Sequence, residues 1–226
     1  MVGEKESEGE GPHADVNAKL VRAKEKWAKD GRALTGTSAD PVRDRRPPGQ
    51  RVTQDFPVLD LGIQPPLSHK DWALSVAGAV ANPLKWDWWA LMAQPQSSYT
   101  NNIHCVTTWS RYDNGWVGVA MRALLAQVKP LPSARFLMIK SYDGYATNIP
   151  LADVDRDDVF LAHTWQNKPL DRVHGGPVRL VVPHLYFWKS AKWIRHITFM
   201  DRDQPGYWEA RGYHMRGNPW KEERYG

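Results

Sequence analysis

A single cysteine, Cys105, stands in a chain of 226 residues, and that count removes most of the chemistry a thiol can bring to a fold. An internal disulfide, a four-cysteine zinc site and a protein-ligated iron–sulfur cluster all need more thiols than this chain owns. What remains for Cys105 is a buried hydrophobe, a nucleophile, or the one thiolate ligand of a metal whose other ligands come from elsewhere. Burial is the ordinary fate of a free cysteine, so the choice turns on its neighbours, Asn102-Ile103-His104-Cys105-Val106-Thr107-Thr108-Trp109-Ser110. A thiolate is a soft ligand and binds a metal only when ionised.

The rest of the composition points to a loop-rich β architecture. The 12 Trp and 17 Pro suit a core of large plates or a cleft walled with aromatics, and they disfavour a helical bundle. Hydrophobic residues at 42% and charged residues at 24% are ordinary for a globular domain, and the length suits one domain with an arm. No run approaches the ~18 apolar residues of a membrane span. The start, Met1-Val2-Gly3-Glu4-Lys5-Glu6, has neither the basic nor the apolar region of an export signal, so the expected location is the cytoplasm. Between Lys168 and Arg195, six basic residues (Lys168, Arg172, Arg179, Lys189, Lys192, Arg195) face one acid, Asp171, so this segment carries the whole formal net charge of +5. A basic excess so confined reads as a local anion site rather than a coat for DNA.

Along the chain, residues 1–15 lack apolar periodicity and are expected to be disordered. Val16, Leu20, Ala23 and Trp27 form one stripe of an amphipathic helix that stops by Gly31, and Arg43–Arg51 reads as a linker. Residues 1–50 are thus a disordered start, helical arm and linker, and 51–226 one domain with a wrapping C-terminal tail. Phe56–Gly62 reads as a strand or turn entering that domain. Strands are expected over 72–80, 135–140, 145–150, 158–163, 178–182 and 194–200, with turns at Asn82-Pro83 and Asp143-Gly144. Asp87 is placed to cap a short helix through Met92. The Cys105 segment reads as strand into loop, followed by a helix from about Val117 to Val128. The fold class is α+β, mixed β-sheets with short helices.

The chain has no nucleotide-binding Gly-rich loop, no His-Glu-x-x-His and no Gly-x-Ser-x-Gly. It does have a second block, His174-Gly175-Gly176-Pro177-Val178-Arg179-Leu180-Val181-Val182-Pro183, then Tyr186-Phe187-Trp188-Lys189-Ser190-Ala191-Lys192-Trp193-Ile194. His174, Arg179, Ser190 and Lys192 offer cations and a hydroxyl, and the glycines allow close backbone approach, a set suited to gripping a phosphate. With one protein thiolate available, a pterin dithiolene would bring two more sulfurs and such a phosphate, and the two blocks read as halves of one site.

These two blocks, in this order, resemble the sulfite oxidase superfamily. The run apolar-x-Cys-Val-x-x-Trp-Ser, followed by Trp116-Val117-Gly118-Val119 and a helix ending Leu124-Leu125, is similar to its molybdenum-ligand segment. The second block resembles its His-Gly-x-Pro-x-Arg and Lys-containing pterin segments. The likeness is to the small single-domain bacterial branch that includes the catalytic subunit of periplasmic methionine sulfoxide reductase, and it runs from about Phe56 to Phe199. It implies a sulfite-oxidase-type molybdopterin-binding fold with Cys105 as the molybdenum ligand. By the same resemblance His174, Arg179, Ser190 and Lys192 hold the pterin and its phosphate, Asp143 lies near the pterin, and Thr107 and Trp109 lie near the metal. The implied cofactor is molybdenum-molybdopterin in the form without a nucleotide.

The implied reaction is oxygen-atom transfer to or from a small molecule, with electrons carried by a separate redox partner because the chain has no haem-attachment motif. His104 is a candidate for steering the substrate, although alternation along a strand turns it away from the face of Cys105. Sulfite-oxidising members present an arginine-rich pocket, for which Arg111 is the one nearby candidate, so S-oxide or N-oxide reduction is favoured over sulfite oxidation. Two other readings stay open. The basic aromatic segment 163–196 could stack on single-stranded nucleic acid, and a histidine beside Cys105 would make a thiol enzyme. His163 and His184 read as structural histidines.

Overall fold

The computed structural model describes residues 18–29 and 45–226; the expectations for residues 1–15, Val16, Gly31 and the start of the linker lie outside them. Its strands are β1 (Arg51–Val52), β2 (Ala73–Gly78), β3 (Leu84–Asp87), β4 (Gln96–His104), β5 (Trp109–Ala120), β6 (Phe136–Ser141), β7 (Ala146–Pro150), β8 (Phe160–Trp165), β9 (Lys168–Pro169), β10 (Arg179–Val181) and β11 (Ile194–Met200). The α-helices are α1 (Ala18–Lys29), α2 (Trp88–Met92), α3 (Met121–Val128) and α4 (Leu151–Val154). The fold is α+β, as expected, with mixed sheets and short helices.

One sheet has the order β3-β2-β11-β6-β7, with β2 and β11 parallel and the other pairs antiparallel. The other runs β1-β5-β8-β10, with β4 also paired to β5 and β9 to β8. Period-two alternation sends side chains of this second sheet into two different cores. Val119, Leu161 and Leu180 join an aliphatic core with Leu74, Val76, Leu91, Leu124, Leu137 and Ile139. Trp116, Phe160, Ala162 and Val181 join an aromatic core with Trp109, Tyr186, Trp188, Trp208 and Tyr213.

The expected helix start at Val117 is corrected: Trp116–Ala120 is the end of β5, and α3 begins only at Met121. A Cβ on Gly118 would stand 2.1 Å from the Leu161 carbonyl oxygen, so glycine lets β5 press against β8, and the valines on either side favour the strand. The helical stripe starts after it, with Met121, Leu124, Leu125 and Val128 buried. Lys129, left-handed with φ 51°, ends the helix by donating its N–H to Leu125 O. The α2 cap is as expected: the Asp87 carboxylate accepts from the Ala90 N–H at 2.8 Å. Phe56–Gly62 forms no strand.

In α1 the buried side is not the one expected. Trp27 is 48% exposed while Lys24 is 5% exposed. Val21 and Ala28 pack on the aromatic core, and Glu25 pairs with Arg211 at 3.4 Å.

Candidate active site

Cys105 sits between β4 and β5, in a loop held at the carbonyls of Cys105, Val106 and Thr108. The Cys105 N–H donates to Trp109 O at 2.8 Å and Thr108 N–H returns to Cys105 O at 3.1 Å, with Thr108 at φ 73°. Gln50 Nε2 donates to Cys105 O at 3.1 Å, Arg51 N–H to Thr108 O at 2.8 Å, and the buried Arg224 guanidinium to Val106 O at 2.6 Å. A loop tied from three directions fixes where its thiol points. That thiol lines a cleft of about 770 Å³, counted with its open mouth.

The same cleft gathers most of the residues singled out from the sequence. Asp143, His174, Arg179, Ser190 and Lys192 all line it. Arg179 leaves β10 on the face of Val181 and is 2% exposed; its guanidinium donates to His174 O and Ser190 O, both at 2.8 Å, and lies 4.2 Å from the Phe187 ring centroid. It has no carboxylate partner among the described residues, and burial pulls its pKa down to about 9. Lys192 donates to Asp60 Oδ2 at 3.2 Å and Val173 O at 3.0 Å; burial lowers its pKa to about 8 against the pull of Asp60. His174 stacks on Phe56 with centroids 4.0 Å apart, and burial, with Arg179 and Lys192 nearby, brings its pKa to about 4, so it is neutral at pH 7. Asp143, in the β6–β7 turn, is raised to about 6 by burial, although the Tyr145 N–H donates to it at 3.0 Å.

Two candidates fall elsewhere. The His104 ring shares a 2.8 Å hydrogen bond with Ser110 and lies edge-on to Trp220, outside the cleft lining, with burial lowering its pKa to about 4. The alternation of β4 carries it to the opposite face from the thiol, so the substrate-steering role is withdrawn. Thr107 is outside the lining too, but its hydroxyl meets Cys105 Sγ at 3.1 Å. Arg111 bonds Gln54 O at 3.1 Å and the Asn114 side chain and supplies no arginine pocket at the thiol.

The basic block divides in the same way. Lys189 is fully buried against Glu209 at 2.6 Å, while Lys168, Arg172 and Arg195 are exposed. Gly175 and Gly176 serve chain packing: a Cβ on Gly175 would stand 2.9 Å from Lys192 Cβ, and one on Gly176 only 2.0 Å from Leu170 O. Tyr186, Trp188 and Trp193 are buried, and the half-buried Trp165 and Phe187 pack against Phe56, so three of the five aromatics of this segment are turned away from a stacking role. No histidine bonds the thiol among the described residues, so a Cys–His pair is not formed. His163 is satisfied by Gln96 and Thr164 at 2.9 Å each, and His184 meets Asp153 at 3.2 Å.

Residues not foreseen complete the walls: Lys24, Phe56, Asp60, Tyr145, Trp208 and Tyr213. The tail supplies Trp208 and Tyr213, stacked at 5.2 Å, and anchors them through Glu209, which accepts from Trp188 Nε1 at 2.8 Å and Thr147 Oγ1 at 3.0 Å. Trp109 Nε1, Ser141 Oγ and Tyr213 OH, all on lining residues, are buried with no hydrogen-bond partner among the described residues. Among the described residues no group of three His, Cys, Asp or Glu could hold a metal.

A family model, the oxidoreductase molybdopterin binding domain, matches residues 61–208. This chain belongs to that family. It is 42% identical over 182 residues to the uncharacterized oxidoreductase YuiH of Bacillus subtilis, covering 80% of this chain and 92% of that one. It is 28% identical over 169 residues to the protein-methionine-sulfoxide reductase catalytic subunit MsrP of Ralstonia nicotianae, covering 66% of this chain and 51% of that one. The crystal structure of the sulfane dehydrogenase SoxCD from Paracoccus pantotrophus superposes with a TM-score of 0.58 at 25% identity, covering 63% of this chain and 41% of that one. The chain thus spans most of YuiH and about half of MsrP.

Membership of the sulfite oxidase superfamily makes the chain a molybdopterin-dependent oxidoreductase. The residues present fit that cofactor. A buried guanidinium without a carboxylate calls for an anion such as a phosphate, the orphaned Trp109, Ser141 and Tyr213 groups offer hydrogen bonds to a polar ring, and the lone thiol needs sulfur donors from outside the chain.

Proposed function

We propose that the chain transfers an oxygen atom between a small molecule and a molybdenum held by Cys105, with reduction of an S-oxide or N-oxide as the favoured direction. The observation that carries this reading is the meeting, in one cleft, of the only thiol with a buried guanidinium that no carboxylate neutralises. When bound, the cofactor supplies a metal that exchanges oxygen with a substrate lone pair through a two-electron change. Arg179 and Lys192, with the neutral His174 and the Ser190 hydroxyl, would hold the phosphate; Asp143, whose pKa lies near 6, would accept or donate a hydrogen bond at the pterin as pH requires. The Thr107 hydroxyl, 3.1 Å from Cys105 Sγ, would donate to the sulfur once it is metal-bound and so set its orientation and basicity.

The aromatic walls, Phe56, Trp109, Trp188, Trp208 and Tyr213, would shield the thiol from water in a cleft sized for a small substrate beside the cofactor. We read the cofactor as the nucleotide-free form, because the residues at the cationic end address a single phosphate and no further cation lines the cleft beyond it apart from Lys24 near the thiol. Electrons would come from a separate redox protein. The relation to MsrP supports the S-oxide direction, and the place of Arg111 outside the cleft lining, bonded to Gln54 and Asn114, counts against sulfite oxidation.

Elemental analysis of protein purified from a host that makes the pterin cofactor tests the reading. Stoichiometric molybdenum in the wild type, lost or spectrally altered in Cys105→Ala, is expected. Wild-type protein without molybdenum from a competent host overturns it.

A further inference from the structure

One charged side chain in the cleft has no task in either the fold or the cofactor grip. Lys24 comes from α1, which lies outside the residues matched by the family model. It lines the cleft at 5% exposure. Among the described residues its ammonium makes no hydrogen bond and no ion pair; its contact is the face of Trp208, with Nζ 4.5 Å from the ring centroid. Both walls of this contact are fixed. Val21 and Ala28 seat α1 on the aromatic core, and Glu25 reaches Arg211 one turn beyond Trp208.

Burying an ammonium against only an aromatic face leaves most of its desolvation cost uncompensated. Burial accordingly lowers the pKa of Lys24, with Cys105 and Asp60, which line the same cleft, opposing it. The other cleft cations are engaged: Arg179 on two carbonyls and Lys192 on Asp60. An anion of the substrate would complete the ammonium, and Trp208 would keep it aimed while it waits.

We propose that Lys24 is a substrate contact that selects small S-oxides or N-oxides carrying an anionic group, a carboxylate or sulfonate, over neutral ones. This rests on the reading of Cys105 as the metal ligand and adds the substrate class. The arm thereby becomes a wall of the active site.

Sulfate is the probe, titrated calorimetrically into the full-length, molybdenum-loaded protein, where the phosphate grip is already filled. Lys24→Met is expected to keep its molybdenum and visible spectrum but to bind sulfate roughly tenfold more weakly or worse, the size of one lost charge-assisted contact. Lys24→Arg and the exposed Lys29→Met should both bind it like the wild type. Loaded Lys24→Met with unchanged sulfate affinity overturns the inference alone, as does a wild type that binds no sulfate. Loss of molybdenum in Lys24→Met also overturns it, because Lys24 would then serve the cofactor. Wild-type protein without molybdenum overturns the functional reading and this inference with it.

Discussion

The two cores on either face of the β5–β8–β10 sheet solve opposite problems. The aliphatic core is filled mainly by Leu, Ile, Val and Met around Trp72, Trp86 and Phe199, its residues are almost all under a tenth exposed, and among the described residues none of them has an orphaned polar atom. The aromatic core surrounds a cleft, carries a buried guanidinium, and leaves Trp109, Ser141 and Tyr213 groups without partners among the described residues. One face is built for stability; the other is kept open by rigid plates at stability's expense. The same strands serve both because alternate residues point opposite ways.

The contrast is sharpest where substitutions on the two faces should move different observables. Leu124→Ala, fully buried in the aliphatic core, should cost about 2–5 kcal/mol in urea unfolding of the cofactor-free protein, with molybdenum per folded chain unchanged. A loss of molybdenum in the folded fraction would show that the faces are not separable.

Asp143→Asn should act with the opposite sign. Burial holds the Asp143 pKa at about 6, above its ordinary 3.8, with the Tyr145 N–H and Lys192 limiting the rise. Because the native state keeps its proton longer than the unfolded one, this group's stability contribution is present below the ordinary value and is lost as pH rises through about 6. The cofactor-free wild type should lose up to about 3 kcal/mol from it on reaching neutral pH, and the variant should lack that slope. An unchanged pH profile would mean that Asp143 is not desolvated as the cleft geometry requires.

Asp87→Ala removes the α2 cap on the aliphatic side and should cost about 1 kcal/mol without touching the metal. The smallest change in stability, within about 1 kcal/mol, is expected for Arg179→Met, since relief of a desolvated charge offsets two lost hydrogen bonds. That variant should nonetheless lose most of its molybdenum by elemental analysis. If it instead unfolds as readily as Leu124→Ala, the guanidinium is a structural brace and the comparison breaks.

The difference between the faces also explains what could be read from the sequence. Strands β2, β6, β8, β10 and β11 announce themselves by alternation or short apolar runs that feed the aliphatic core. The polar length of β4, Gln96-Ser97-Ser98-Tyr99-Thr100, has no such mark, and the end of β5 took on a helical look because Val117 and Val119 flank a glycine whose reason is the Leu161 carbonyl. In the site, Cys105, Asp143, His174, Arg179, Ser190 and Lys192 were visible through residue type and the family resemblance, and the fold does bring them together. Lys24, Asp60, Trp208 and Tyr213 were not. They come from segments with no period, and a lysine on the buried side of a helix contradicts the hydrophobic stripe that pattern reading looks for. His104, a candidate only through its adjacency to Cys105, points the other way, as strand alternation implies.

The grip of Arg224 on the Val106 carbonyl spans 118 residues. A nascent chain emerges in order, so the cysteine loop is made early and fastened late. Until that guanidinium arrives, Gln50 and Arg51 hold the loop at the Cys105 and Thr108 carbonyls, and Trp208 and Tyr213 have not yet closed their wall. The last residues of the chain are thus part of the site, and the cysteine loop lacks one of its ties until residue 224 is in place.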